Sequence, residues 1–331
     1  MRITVRDDRD LAVRVLRRAV ELGVDHIDTA AFYFSPGGIL DGEPGAVRYA
    51  AELIRDGLRP YPEKLFIATK VGPDPLPDGS WGEAVTAERL RRQVEENLRR
   101  LGVETLDLVN LRIVAPAGQD QVAERFGALA EMQADGLIRH LGLSNVRWRH
   151  VEAAQRVAPV VCVQNAFAVD LRRHTELLRK CGEAGIAFVP FFTIAGNARE
   201  SGPAAAREAG PSPAGEASTA AEPEGGRAAE AGRAAEAGRA AEAGRAGEAG
   251  EGGQAWEVGG MDAGGAAEWR IAAARGGGVT GHQVRLAWTL QQGAHVLAIP
   301  GTGDVAHLEE NVAAGALRLT PEEMAEMDQR R

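Results

Sequence analysis

The apolar positions of the chain fall into two alternating rhythms. Leu11, Val15, Ala19 and Leu22 recur at helical spacing behind a group of aspartates that can cap them, and Gly23 ends the run. His26-Ile27-Asp28-Thr29-Ala30 then reads as a short buried strand leading into a polar loop. Val47, Ala50, Ile54 and Leu58 mark the next helix, and Leu65 to Lys70 the next strand. The alternation continues with a helix through Leu90, Val94, Leu98 and Leu101, for which Thr86 is the N-cap, and a strand from Leu106 to Leu111. A helix through Val122, Phe126 and Leu129 precedes a strand from Arg139 to Leu143. Helices near 147–157 and 171–184 flank a strand from Val160 to Val163, and Ile186 to Phe192 forms another. After a long interruption, Val284, Ala287 and Leu290 give a helix, Val296 to Ile299 a strand, and Val305, Leu308 and Val312 a last helix.

Seven apolar strands, each followed by an amphipathic helix, predict a parallel sheet covered by helices. An α/β fold of the (β/α)8 TIM-barrel type accounts best for the polar residues that recur just after the strands' C-terminal ends. An open doubly wound sheet is the alternative. It usually carries a glycine-rich phosphate turn after its first strand, and no GxGxxG occurs in this chain.

One segment interrupts the rhythm. Residues 197–275 are rich in Ala, Gly, Glu and Arg, and Gly-Arg-Ala-Ala-Glu-Ala repeats with Arg227, Arg233, Arg239 and Arg245 in register. Each glycine costs a helix about 1 kcal/mol relative to alanine. A six-residue period turns each repeat by roughly 120° around a helix, so no apolar stripe forms. With nothing to bury, the segment is expected to be a disordered or fraying insertion in solvent. The chain therefore divides into residues 1–196, the first part of the barrel, 197–275, the insertion, and 276–331, the last part.

Composition narrows the function classes. The net charge of −9 over 331 residues argues against a nucleic-acid binder, which needs an extended basic face. No apolar run approaches a membrane span, and no signal-like core follows the N-terminal arginines, so a cytoplasmic location is expected. Cys162 and Cys181 lie in apolar or helical stretches without CxxC spacing and read as reduced, buried thiols. The seven histidines show no metal-ligand spacing.

Asp28, Tyr33 and Lys70 carry the candidate chemistry. In a barrel, Asp28 and Lys70 end adjacent strands and Tyr33 lies on the loop between, so all three face the active end. Reduction of a carbonyl by hydride leaves an alkoxide that needs a proton. A tyrosine can supply it when a nearby cation favours the phenolate, and an aspartate can hold that cation charged and in place.

The same residues carry a family resemblance. Asp28-Thr29-Ala30-Ala31-Phe32-Tyr33 and Ala68-Thr69-Lys70-Val71-Gly72 resemble aldo-keto reductase motifs. So do Leu141-Gly142-Leu143-Ser144-Asn145, Val163-Gln164-Asn165 and Ile299-Pro300-Gly301-Thr302 with Glu310-Asn311. The resemblance covers roughly residues 1–196 and 276–330. It implies an eight-stranded barrel that binds extended NADPH, with NADH as a substitute, at its C-terminal face. It makes Tyr33 the acid, with Asp28 and Lys70 tuning it. Ser144, Asn145 and Gln164 take the place of the contacts to the nicotinamide carboxamide, and Phe167 that of the ring stacked under the nicotinamide. Gly301, Thr302, His307, Glu310 and Asn311 fall on the loop and helix that hold the adenosine phosphate and adenine.

Three departures from the family pattern stand out. Five residues after Asp107, where the family has a histidine that binds the substrate carbonyl, this chain has Arg112. A permanently charged donor there is expected to polarise the carbonyl and alter substrate preference. Only Met1 to Val5 precede the first helix, so the family's first strand is expected to be short or missing. The insertion follows Pro190 to Gly196, where the family's loop packs over the cofactor pyrophosphate; Gly301 and His307 also stand where many members carry lysine and arginine. The resulting expectation is an NAD(P)H-dependent reductase of a small-molecule aldehyde or ketone. The alternative is a nucleotide-binding scaffold with little turnover.

Overall fold

The computed structural model describes residues 8–35, 47–75, 81–114, 117–195 and 267–329. Six parallel strands form its sheet, hydrogen-bonded in chain order: β1 (His26–Asp28), β2 (Phe66–Val71), β3 (Leu106–Arg112), β4 (Ile138–Ser144), β5 (Cys162–Gln164) and β6 (Ala187–Phe188). The seventh expected strand joins as a parallel bridge between Phe188 and Val296, extended by the Leu297 amide donating to the Phe188 carbonyl at 3.0 Å. Residues 1–5, the expected remnant of a first strand, lie outside the described residues.

Side-chain alternation along each strand separates two cores. Ile67, Val71, Val109, Leu111, Leu141, Leu143, Val163 and Phe188 point outward to the helices. They meet α1 (Asp8–Glu21), α2 (Ala50–Leu58), α3 (Ala87–Leu101), α4 (Gln119–Ala134), α5 (Trp148–Gln155) and α6 (Thr175–Glu183) through residues such as Leu16, Ile54, Leu90, Phe126, Val151 and Leu177. Each fully buried large side chain in this layer contributes about 1.5–3 kcal/mol. The intervening strand residues point the other way. Ala68, Leu108, Cys162 and Val189 pack together with Phe66 and Ile299 in a small interior cluster. Side chains from strands far apart in the sheet meet there because the sheet curls, as a barrel requires.

Local signals account for the helix ends. Thr86 caps α3 by accepting from the Arg89 amide at 3.3 Å, and Gly102 ends it in the left-handed conformation. Both cysteines are free and buried, Cys162 inside the barrel and Cys181 on α6.

Two expectations need correction. The polar loops after β1 and β2 contain short antiparallel pairs, Phe34–Ser35 with Arg48–Tyr49 and Pro73–Pro75 with Trp81–Glu83. Runs of two or three residues are too short for a period of two to register. Residues 267–275, assigned to the insertion, form helix α7 (Ala267–Arg275). Ala267, Ile271 and Ala272 bury against α8 (Gly281–Leu290), and Glu268 pairs with the buried Arg285 at 2.9 Å. The alanine-, glutamate- and arginine-rich composition of the insertion hid this short apolar stripe. The rest of the insertion, 197–266, lies outside the described residues.

Candidate active site

The inward-facing residues become polar toward the C-terminal ends of the strands. Asp28 on β1, Lys70 and Asn110 in register on β2 and β3, and Arg112, Ser144 and Gln164 in one row across β3 to β5 all lie on this face. Two positions on this face leave no room for a Cβ. Gly72 has φ +125°, and a Cβ on it would lie 2.3 Å from the Arg112 carbonyl oxygen. A Cβ on Gly142 would lie 2.1 Å from Asn110 Oδ1.

Lys70 is at the centre. Its side chain is 2% exposed and its ammonium pairs with the Asp28 carboxylate, which is 8% exposed. It also donates to the Thr29 carbonyl oxygen at 2.9 Å. Burial works against the lysine's charge, but the Asp28 carboxylate, with Tyr33 when ionised, outweighs it, and the net effect raises its pKa above the ordinary lysine value. The other Asp28 oxygen accepts from Gln164 Nε2 at 2.7 Å, a bond between the first and fifth strands of the sheet. It is possible only because the sheet curls.

Tyr33 stands over this pair. The Lys70 ammonium lies 4.8 Å from the centre of its ring. A tight turn holds the tyrosine, with its amide donating to the Ala30 carbonyl at 3.1 Å, and its own carbonyl accepts from the Ala50 amide at 2.9 Å at the start of α2. Phe32 packs edge-on against its ring at 5.3 Å. The strand Phe34–Ser35 follows at once and pairs antiparallel with Arg48–Tyr49.

Arg112 adjoins the group. Its Nη1 donates to Ser144 Oγ at 3.2 Å, and its guanidinium lies 5.1 Å from the ring centre of Phe191. Asn145 adopts φ 59°, which asparagine tolerates, while its amide donates to the Gln164 carbonyl and its Nδ2 to the Ile113 carbonyl. Gln164 Oε1 is buried and has no hydrogen-bond partner among the described residues. This orphaned acceptor is of the kind a ligand amide would satisfy.

Phe167 needs correction as a ring that stacks on a ligand. It is 1% exposed, stacked on Trp288 of α8 at 5.6 Å and edge-on to Phe188 at 6.0 Å. It shares the odd-numbered phase of Val163, which faces the helices, so a ligand inside the barrel mouth cannot reach it. The half-buried ring at the mouth is Phe191, an aromatic residue just past β6 that sequence reading passed over. Asn110 was also missed. Counting by two from Leu108 to Arg112 places it on the inward face.

The remaining expected positions form a second group. Gly301 and Thr302 follow the seventh strand, and helix α9 (Val305–Ala313) carries His307, Glu310 and Asn311. Gly301 and His307 are exposed, whereas Thr302, Glu310 and Asn311 are half-buried. The helix is capped by Asp304, whose Oδ1 accepts from the His307 amide at 3.0 Å. That hydrogen bond lowers the Asp304 pKa, so a carboxylate already occupies the helix N-terminus. Among the described residues, no helix is long and apolar enough to cross a membrane.

Comparison with known proteins agrees with this geometry. The Aldo/keto reductase family model matches residues 4–331. Pyridoxine 4-dehydrogenase of Escherichia coli K12 is 32% identical over 325 residues, covering 97% of this chain and 87% of that protein. A thermostable aldo-keto reductase crystallised with the inhibitor epalrestat superposes with a TM-score of 0.64 at 25% identity, covering 99% of this chain and 89% of the other. An aldo-keto reductase from Klebsiella pneumoniae, crystallised with NADPH, has the same fold, with a TM-score of 0.66 at 21% identity and coverage of 99% and 88%. A curled parallel sheet with polar residues at its strand ends, and a family match along nearly its whole length, make this chain a member of the aldo/keto reductase family of oxidoreductases.

Proposed function

We propose that the chain reduces an aldehyde or ketone to the alcohol with a nicotinamide cofactor, NADPH first and NADH as a substitute, and with Tyr33 as proton donor. The observation that carries this reading is the buried Lys70–Asp28 pair beneath the Tyr33 ring. When bound, the nicotinamide would supply a hydride for the carbonyl carbon. Tyr33 gives its proton to the carbonyl oxygen as charge develops there and recovers one from solvent afterwards. Lys70 favours the phenolate that is left behind, and Asp28 keeps Lys70 charged inside a low-dielectric interior. Gln164 fixes the Asp28 carboxylate from the far side of the barrel.

The residues present suit the cofactor. The unsatisfied Gln164 Oε1, with Ser144 beside it, would receive the carboxamide. Phe191 supplies the ring that Phe167 does not. Gly301, Thr302, His307, Glu310 and Asn311 would hold the adenosine end, and an extended dinucleotide is the kind of ligand that spans two separate groups at one end of a barrel. Nicotinamide-cofactor oxidation followed with a panel of aldehydes and ketones tests the reading. Pyridoxine belongs on the panel in the reverse direction, because a relative is a pyridoxine 4-dehydrogenase. Tyr33→Phe should bind NADPH as the parent does and lose turnover by about 10²–10⁴-fold. Normal turnover in that variant would remove Tyr33 from the mechanism. NADPH binding without turnover of any substrate by the parent would favour the scaffold reading.

A further inference from the structure

We infer that Arg112 is an anion receptor, and that the preferred substrates carry an ionised oxygen on the atoms next to the carbonyl, as a 2-oxo carboxylate or an ortho-phenolate aldehyde does. The inference rests on the reductase reading and narrows it to a substrate class.

Charge is the starting point. Arg112 is 8% exposed, and no carboxylate pairs with it among the described residues. Buried arginines elsewhere in the barrel do have such partners: Arg125 with Glu83, and Arg285 with both Glu268 and Asp170. The carboxylates of the site are engaged elsewhere. Asp28 is held by Lys70 and Gln164, and Glu83 by the Val114 amide and Arg125. The Lys70–Asp28 pair is neutral, so among the described residues the site carries one surplus positive charge. Arg112 is close enough to Lys70 to oppose the lysine's own charge. A guanidinium removed from water without a counter-ion is costly, and an anionic ligand offsets that cost.

Donor capacity points the same way. Arg112 has five N–H donors and spends one hydrogen bond on Ser144 Oγ. Two residues earlier on the same inward face, the fully buried Asn110 has neither amide atom satisfied among the described residues. Arg112 therefore keeps N–H donors without acceptors among the described residues, and a planar fork suits two neighbouring oxygens. The anionic group takes no part in bond making. It places the carbonyl oxygen near Tyr33 and stays charged in the product.

The test compares matched pairs with the NADPH-loaded protein: phenylglyoxylate against its methyl ester, and 2-hydroxybenzaldehyde, at a pH where it is ionised, against 2-methoxybenzaldehyde. The parent should favour the anion in kcat/KM for at least one pair, and which pair responds separates carboxylate from phenolate. In Arg112→Met the anion-to-neutral ratio should fall by about 30-fold, the worth of one charged hydrogen bond. Using the ratio cancels any general loss of activity. Arg112→Lys, which keeps the charge without the fork, should retain part of the preference. A parent that favours the neutral member of both pairs, or an unchanged ratio in Arg112→Met, overturns the inference. If nothing is reduced, the reductase reading fails, and calorimetric titration with phenylglyoxylate still decides the anion site. Binding that Arg112→Met abolishes supports it, and no binding to the parent overturns it.

Discussion

Replacing Lys70 with methionine separates what the buried pair does for the fold from what it does for the chemistry. Methionine keeps the length and apolar character of the lysine stem, so the substitution leaves little cavity. It strands the Asp28 carboxylate, 8% exposed, with Gln164 as its remaining side-chain donor among the described residues. It also removes the donor to the Thr29 carbonyl. Breaking a buried pair from one side typically costs about 3–5 kcal/mol, most of it from the uncompensated charge. Adding Asp28→Asn removes that charge, so the double variant should recover about 2 kcal/mol or more relative to the sum of the single variants. Turnover should behave differently. Lys70→Met should lose about 10²–10⁴-fold in kcat, and the double variant should regain none of it, because Tyr33 still lacks its cation. Urea unfolding followed by tryptophan fluorescence, which reports on the buried Trp288, gives the stabilities, and NADPH oxidation gives the rates. A cost below about 1 kcal/mol for Lys70→Met, or normal turnover in it, would show that the pair does not play this part.

Three further expectations come from single positions. Gly72→Ala forces a Cβ to within 2.3 Å of the Arg112 carbonyl at a positive φ, so it should destabilise by at least about 2 kcal/mol and shift the strand ends bearing Lys70 and Arg112, read as lower urea resistance and lower kcat together. Asp304→Asn keeps a helix cap and removes a carboxylate from the expected adenosine-phosphate end; the ratio of NADPH to NADH affinity should rise about fivefold, and an unchanged ratio would place the phosphate elsewhere. Burial, with Arg173 and Arg147 adding to it, holds the His174 pKa down at about 4, below the ordinary 6.5. As pH falls from about 6.5 toward about 4, the unfolded chain takes up a proton that the folded ring refuses, so stability is lost with acidification. Partial exposure of the ring limits the loss to about 2 kcal/mol, and His174→Asn should flatten that part of the pH profile measured by urea unfolding.

Much of this protein could be read from residues close together in sequence. Apolar spacing placed the strands and helices, since which face a side chain occupies depends only on the local backbone repeat. The Asp28, Tyr33 and Lys70 group was legible for the same reason: each ends a strand or begins the loop after one. The short apolar stripe of helix α7 was not, because its composition continues that of the insertion before it. Other features needed the curled sheet. Gln164 reaches Asp28 across 136 residues of chain because the sheet curls, and no local pattern encodes that distance. Phe167 and Phe191 are both aromatic residues near strand ends, but barrel geometry sends one into the helix layer and leaves the other at the mouth. Whether Arg112 would find a carboxylate was likewise open in the sequence. Among the described residues the tertiary structure gives it none, because Asp28 and Glu83 are committed to other partners.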